Sequence, residues 1–259
     1  MNKIKKYAMV IVSAVMLIMA AAPAYAGGTK LNIAAVCYHS VTDNPLNLST
    51  YRISDDEFRA DMEYYTSQGY TFMKPCEMWY ASPYNKNMVL TFDDGYDDFY
   101  DVVFPILKQY NAKAAVYVIG SEIDKTGYLK SWQIKEMDQS GFVEIGNHTN
   151  AIHNYGFKSE NYMNDISLLN LFIEDVKDCS SKVYSILGHG TESLAYPSGQ
   201  YTERMDKILK TNLGYTTTFT TDYGIVKTQA DIVRPMKRIY RIHGDTPQRI
   251  QEMINEVCK

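Results

Sequence analysis

Residues 87–111 read NMVLTFDDGYDDFYDVVFPILKQYN. The opening NMVLTF is short, mostly apolar and rich in strand-forming residues, the length of one buried strand. It stops at the adjacent pair Asp93 and Asp94, and helical spacing takes over in DDFYDVVFPILKQYN, which Pro105 bends or restarts. A strand, a tight acidic turn and a helix make half of a β–α–β unit.

The same unit recurs on both sides. Upstream, LNIAAVCYH from Leu31 reads as a buried strand. SDDEFRADMEYYTSQGY reads as a helix with Ser54 as N-cap, Glu57 completing a capping box and Gly69 as its stop. Downstream, the strands AKAAVYVIG and FVEIGNH alternate with the helices KSWQIKEMDQSG and NDISLLNLFIEDVKDCSSKVYSIL. SLAYP, the helix YTERMDKILKTNLG, the strands YTTTFT and KRIYRIH and a terminal helix complete the series. Alternating strands and helices predict a parallel sheet with helices outside it. About seven such units predict an α/β fold, a distorted (β/α) barrel of the TIM-barrel type. No repeat, low-complexity tract or charge block marks a linker, so a single domain is expected.

Residues 1–26 read differently. Lys3, Lys5 and Lys6 precede the uncharged run YAMVIVSAVMLIMAAA, and APAYA places small residues at Ala24 and Ala26. This is the pattern of a signal peptide and its cleavage site, too short for a full membrane span. The expectation is a secreted protein, extracellular or associated with the cell wall, whose catalytic domain is residues 27–259 and carries no membrane span. The full chain has a net charge of −4, more negative once the three lysines are removed, which argues against nucleic acid or anionic lipid as a partner. Cysteines at 37, 76, 179 and 258 could form two disulfides, but their wide spacing suggests no zinc cluster, and buried or free thiols are expected. Nothing in the sequence fixes an oligomeric state.

In a barrel, active sites form where strands end and loops begin. His39 ends AAVCY, Asp93 and Asp94 end VLTF, His148 ends VEIGN, and Tyr196 and Pro197 end SLA. His148 and His153, in GNHTNAIHNYG, are too far round a helix to share a face, and converge only if the chain curls back through TNAI. Two histidines and a strand-end carboxylate match a metal-ligand set. A divalent ion held by Asp94, His148 and His153 neutralises Asp94 and leaves Asp93 ionised beside it as a general base. Asp97 and Asp98 fit a solvated turn at a helix N-terminus. The same ligand set could be an iron(II) facial triad, but that reading gives Asp93 no role.

TFDDG, followed by HTNAIH and LAYPSG, resembles the polysaccharide deacetylases of carbohydrate esterase family 4, the NodB-homology domain. The resemblance covers nearly all of residues 27–259. It implies metal-dependent removal of acetyl groups from an acetylated polysaccharide, with Asp93 as base and Asp94, His148 and His153 on one divalent metal. Zinc is the first expectation for that metal, and nitrogen and oxygen ligands also admit cobalt or nickel. Two departures stand out. The histidines are five apart rather than four, and Ala195 and Tyr196 stand where many members carry an arginine ahead of the proline. With the early CYHSV, these features resemble the branch that deacetylates poly-N-acetylglucosamine. That branch implies His39 as general acid, with His243 of RIYRIHGD as the competitor. Arg238, on the last strand, is a candidate to orient Asp93 in place of the missing arginine, or else a surface residue. Tyr196, Pro197 and Ser198 are candidates for substrate and oxyanion contacts, through the backbone N–H near Ser198. His189 reads as a loop residue, and Tyr96 as a candidate sugar contact. An acetylxylan esterase and an inactive carbohydrate-binding relative remain as alternatives, and loops 43–53 and 156–161 are expected to select the glycan.

Overall fold

The computed structural model describes residues 30–153 and 165–258. The predicted signal peptide and loop 156–161 lie outside the described residues. The strands are β1 (Lys30–Tyr38), β2 (Ser40–Thr42), β3 (Arg52–Ser54), β4 (Tyr70–Phe72), β5 (Lys86–Phe92) and β6 (Ala114–Val118), then β7 (Val143–Asn147), β8 (Ser193–Ala195), β9 (Thr217–Tyr223), β10 (Val226–Thr228) and β11 (Met236–Tyr240). The main sheet runs β10-β1-β11-β9-β8-β7-β6-β5-β4, and an extra pairing of β1 with β5 closes it. Seven strands, all parallel to their neighbours, make the barrel, and helices surround it. β10 lies antiparallel against β1, and β4 continues the sheet beyond β5. These two strands are short and were not separated from their neighbours in the sequence.

Alternation along each strand divides the core. Ala34, Val36 and Tyr38 of β1 and Met88, Leu90 and Phe92 of β5 belong to the layer that packs under the helices. Ile33, Ala35 and Val89 fill the barrel with Ala115, Tyr117, Phe219 and Met236. Because side chains alternate with a period of two, the inward row of β5 continues through Thr91 to Asp93. The inward row of β1 continues to Cys37, and that of β11 to Arg238. Register then makes these rows neighbours: Cys37 lies opposite Thr91 on one side and Tyr240 on the other. Outside, Phe92 stacks on Tyr38 at 4.9 Å and meets Phe58 and Phe99 edge-on, fixing the end of β5 from behind.

The helix Asp55–Ser67 starts at Ser54 with both halves of the capping box in place. The stretch expected as one helix after the acidic turn divides instead. A π-helical turn covers Phe99–Val103, and an α-helix starts at Phe104 with Pro105 in its first turn. Proline lacks an N–H, which is tolerated there because the first N–H groups have no intrahelical acceptor. The four cysteines are free. Among the described residues, no helix is long and apolar enough to cross a membrane.

Glu57 does more than cap. Its carboxylate accepts hydrogen bonds from the Ser54 and Gly244 N–H groups and pairs with His243, tying the first helix to the chain after β11. Burial works to raise its pKa, but these bonds outweigh it and hold the group at about 2. A carboxylate with a depressed folded pKa adds stability above its ordinary value and loses it as pH falls through the folded one. Replacing Glu57 by Gln is therefore expected to destabilise the fold at neutral pH, with the gap closing between about pH 4.5 and about pH 2 in urea melts. A gap that stays constant across that window would remove the charge from the cap.

Candidate active site

The C-terminal ends of β1, β5, β7 and β11 meet in one place. Asp93, reached along the inward row of β5, is 3% exposed, and its N–H donates to the Tyr38 carbonyl at 3.0 Å. Both carboxylate oxygens are engaged by Arg238, Nη1 to Oδ1 and Nη2 to Oδ2, each at 2.7 Å. Arg238 is fully buried, so it is no surface residue. Two further bonds hold it: Nε donates to the Thr220 carbonyl at 3.0 Å, and Nη1 also reaches the Thr91 hydroxyl at 3.2 Å. A planar fork gripped at several points has little freedom, so it fixes the plane of the carboxylate. Burial alone would raise the Asp93 pKa. The Arg238 charge chiefly overcomes that and holds it at about 2, so the group is ionised throughout the neutral range. Cys37 adds a weak third contact, its thiol 3.6 Å from Oδ2. Burial pushes that thiol well above its ordinary pKa, so it stays an S–H donor.

Asp94 turns the other way. Its φ of 75° lies in the left-handed region, which aspartate tolerates better than most side chains, and Gly95 follows at the same angle. Gly95 cannot be larger without strain, since a Cβ there would sit 3.1 Å from the Val118 side chain. The turn aims Asp94 at the histidines: Oδ1 is 3.5 Å from His148 Nε2 and 3.1 Å from His153 Nε2. His148 follows β7 directly. The chain then curls back through Thr149, at φ 68°, with the Ala151 N–H donating to the Asp175 carboxylate of the long helix Ile166–Leu187 at 2.9 Å. That curl brings the two imidazole rings to 4.8 Å. Burial opposes ionisation of Asp94, but hydrogen bonds to His148 and His153 hold its pKa well below the usual carboxylate range.

The donor set fits a cation. His148 Nδ1 lies 2.7 Å from the Ala195 carbonyl, which can only accept, so Nδ1 carries the proton. In the neutral ring, Nε2 then presents a lone pair toward a carboxylate oxygen, a pairing that a shared metal ion would make favourable. One ligand atom from each of Asp94, His148 and His153 lies within 4.8 Å of the others. Cys37, His39 and Asp93 form a second such group. It lies around the Arg238 guanidinium, whose positive charge disfavours another cation.

His39 follows β1 and packs against Tyr51 and Tyr240, with ring centroids 5.0 and 5.8 Å away. Burial lowers its pKa, against the pull of Asp93 and Asp94. Its Nδ1 is buried without a hydrogen-bond partner among the described residues. His243 is elsewhere, exposed and 2.8 Å from Glu57. His189 is exposed and pairs with Asp138 at 3.1 Å. The Tyr196 side chain points into the outer core: it stacks on Phe172 and Tyr201, and its hydroxyl donates to Asp206 at 3.0 Å. The Tyr196 N–H donates to the Phe219 carbonyl at 2.9 Å. Pro197 is buried, and Ser198 is exposed with φ 53°, in a turn held by the Gly199 N–H to the Tyr196 carbonyl.

Asp98 departs from the solvated turn expected for it. It is half-buried, accepts a hydrogen bond from the Ser40 hydroxyl, and is raised by burial to about 6. Tyr96 lies against Tyr128, ring centroids 5.3 Å apart, and burial together with the Asp94 charge pushes its pKa up to about 12. A cleft of about 380 Å³ opens beside Asp94 and His153, walled by Tyr96, Ser121, Glu122 and Tyr128. Ser121, Glu122 and Tyr128 escaped the reading of the sequence, although VIGSE after an apolar strand satisfies the strand-end rule that found the others. A larger groove of about 930 Å³ includes Trp79, Lys207 and Arg234. It opens among residues that precede β9 and β11, at the opposite end of the barrel, and contains none of the candidate site residues.

Comparison with known proteins gives the site a context. A family model described as polysaccharide deacetylase matches residues 80–218. The Bacillus subtilis protein YxkH is 29% identical over 194 residues, covering 72% of this chain and 63% of YxkH, under two thirds of its length. The poly-beta-1,6-N-acetyl-D-glucosamine N-deacetylase of Staphylococcus epidermidis is 25% identical over 206 residues, covering 71% of this chain and 70% of that protein. The structure of the Streptococcus pyogenes deacetylase PplD in complex with acetate superposes with a TM-score of 0.73 at 27% identity, covering 86% of this chain and 97% of that one.

Replacing Arg238 by Met leaves Asp93 buried without its counter-charge, and a loss of roughly 3–5 kcal/mol in urea melts is expected. Adding Asp93→Asn to that variant should recover much of the loss, because the stranded charge is then gone. Equal stability of the single variant and the parent would remove the pair as a structural element.

Proposed function

This chain belongs to the polysaccharide deacetylase family, and from that premise we propose that it is a secreted, metal-dependent hydrolase that removes N-acetyl groups from a poly-N-acetylglucosamine-like glycan. The observation that carries the reading is the division of labour at the end of β5. Asp94 faces His148 and His153, with one ligand atom from each within 4.8 Å of the others, while Asp93 next door is ionised and locked by Arg238. The name of the Staphylococcus epidermidis relative favours N-acetyl over O-acetyl substrates. The signal-like pattern of residues 1–26 supports export, with residues 27–259 as the catalytic domain.

Asp94, His148 and His153 would hold the divalent ion, with zinc the first candidate. When bound, the ion supplies Lewis acidity, polarising the acetyl carbonyl and lowering the pKa of water to about 7. Asp93 takes the proton of the attacking water as the new C–O bond forms. Arg238 keeps that carboxylate charged and in plane, so its lone pair is already aimed. The backbone N–H near Ser198, in the turn that follows Ala195, is the candidate donor to the developing oxyanion, Ala195 being the residue whose carbonyl orients His148. His39 delivers a proton to the sugar nitrogen as the C–N bond breaks, giving acetate and the free amine. Its grouping with Asp93 favours it over His243, which is occupied by Glu57.

Acetate release from poly-N-acetylglucosamine oligomers is the direct assay. Chelation is expected to abolish it and re-addition of zinc or cobalt to restore it; release that persists after exhaustive chelation would defeat the metal-dependent reading. Asp93→Asn should reduce kcat by roughly 10²–10⁴ while metal uptake followed by calorimetry is retained. His39→Ala should lose activity and His243→Ala keep most of it. The reverse order would exchange their roles.

A further inference from the structure

The cleft beside Asp94 and His153 has an uneven charge. Of the described side chains that line it, Asp94 and Glu122 are acidic, Ser121, Tyr96 and Tyr128 offer hydroxyls, His153 its ring, and Ile119 and Ala151 are apolar. No lysine or arginine is among the described residues that line it. The cleft is also firmly built. The loop that carries Ser121 and Glu122 is bonded to the chain around the histidines through the Gly120 N–H to the Thr149 carbonyl at 2.9 Å and the Ser121 N–H to the Asn150 carbonyl at 3.1 Å. It is bonded to the acidic turn through the Leu129 N–H to the Gly95 carbonyl at 3.0 Å and the Asp97 N–H to the Gly127 carbonyl at 3.1 Å. Three strand-end loops thus hold Glu122 in fixed relation to the reaction centre.

A divalent cation shared by Asp94, His148 and His153 more than offsets the charge of Asp94, and Glu122 is the remaining carboxylate among the described lining residues of the cleft. The Ser121 hydroxyl donates to Glu122 Oε1 at 3.1 Å, and Lys125 reaches the same oxygen at 3.1 Å, but the lysine side chain is 58% exposed and lies outside the described lining. Such a solvent-facing pair is weak, and a cation inside the cleft can displace it. The proposed reaction itself makes that cation. Removing an acetyl group turns a neutral amide into an ammonium at neutral pH, so a partly processed glycan carries glucosamine units beside units still acetylated.

Resting on the deacetylase reading, we propose that this cleft is a subsite for an already de-N-acetylated glucosamine unit of the same glycan, with Glu122 selecting its ammonium group. The substrate is then a partly deacetylated chain, and each deacetylated unit favours reaction at a neighbour. Hydroxyls of Ser121, Tyr96 and Tyr128 are suited to the remaining sugar hydroxyls, and one charge-assisted contact supplies the preference.

The test compares kcat/KM for acetate release from a fully N-acetylated poly-N-acetylglucosamine pentamer with that from pentamers carrying one glucosamine on either side of the central ring. The unsubstituted enzyme should prefer one of the mixed pentamers by about tenfold at low salt, and added salt should shrink that ratio. Glu122→Gln should bring the ratio close to one, and Glu122→Lys should invert it. The ratio is measured within one preparation, so it does not depend on how much of a variant folds. Equal rates on all pentamers, or a Glu122→Gln enzyme that keeps the parental ratio, would overturn the subsite alone. No acetate from any pentamer would overturn the deacetylase reading and the subsite with it.

Discussion

Two buried carboxylates on consecutive residues can both stay ionised only if each faces groups that offset its charge. Asp93 has the Arg238 fork, inside the barrel and nearly out of contact with water. Asp94 is swung by its left-handed backbone to the opposite side, toward two imidazoles. The rest of the site is arranged to keep that separation. Phe92 anchors the strand behind the pair, Thr91 and Thr220 hold the guanidinium, and Asp175 pins the loop that returns His153 to His148. In a medium of low polarity either charge without its partner would be displaced or neutralised. The order in which the side chains leave the strand is therefore as consequential as their identity.

Much of this was legible in the chain. Apolar runs ending in Asp93, His39 and His148 announce a parallel barrel with chemistry at one rim, because parallel strands covered on both faces must be apolar until they emerge. The period of two along LTFDD already separates the neighbours Asp93 and Asp94. Long-range partners were less legible. Arg238 is 145 residues from Asp93, and only the closed strand order, with β1 between β5 and β11, makes them adjacent. Sequence left Arg238 open between a surface residue and a partner for the aspartate, since an arginine in a strand looks the same in either place. The role of Ser40 in holding Asp98 was hidden for the same reason.

Small residues mark where the barrel is tightest. A Cβ on Gly146 would stand 2.3 Å from the Tyr117 ring, so glycine there lets that tyrosine fill the barrel beneath the histidines. A second buried pair, Arg241 with Asp61 at 2.8 Å, joins the end of β11 to the first helix, and Tyr38 donates to the same carboxylate at 3.1 Å. Two arginines three residues apart, Arg238 on β11 and Arg241 just past its end, thus face different layers. One lies in the barrel, and the other under the helical shell.

The strand that closes the barrel is the first one described, and it is joined by the last. β1 lies between β5 and β11, so its inward face waits for a strand some two hundred positions later in the chain before the ring is whole. A nascent polypeptide emerging from its N-terminus cannot complete the rim of the site until the final strand has docked, and such distant pairing is slow to form. The buried pair at the rim is consequently a property of the finished molecule, since a partial fold that lacks its last strand also lacks Arg238, the partner of Asp93.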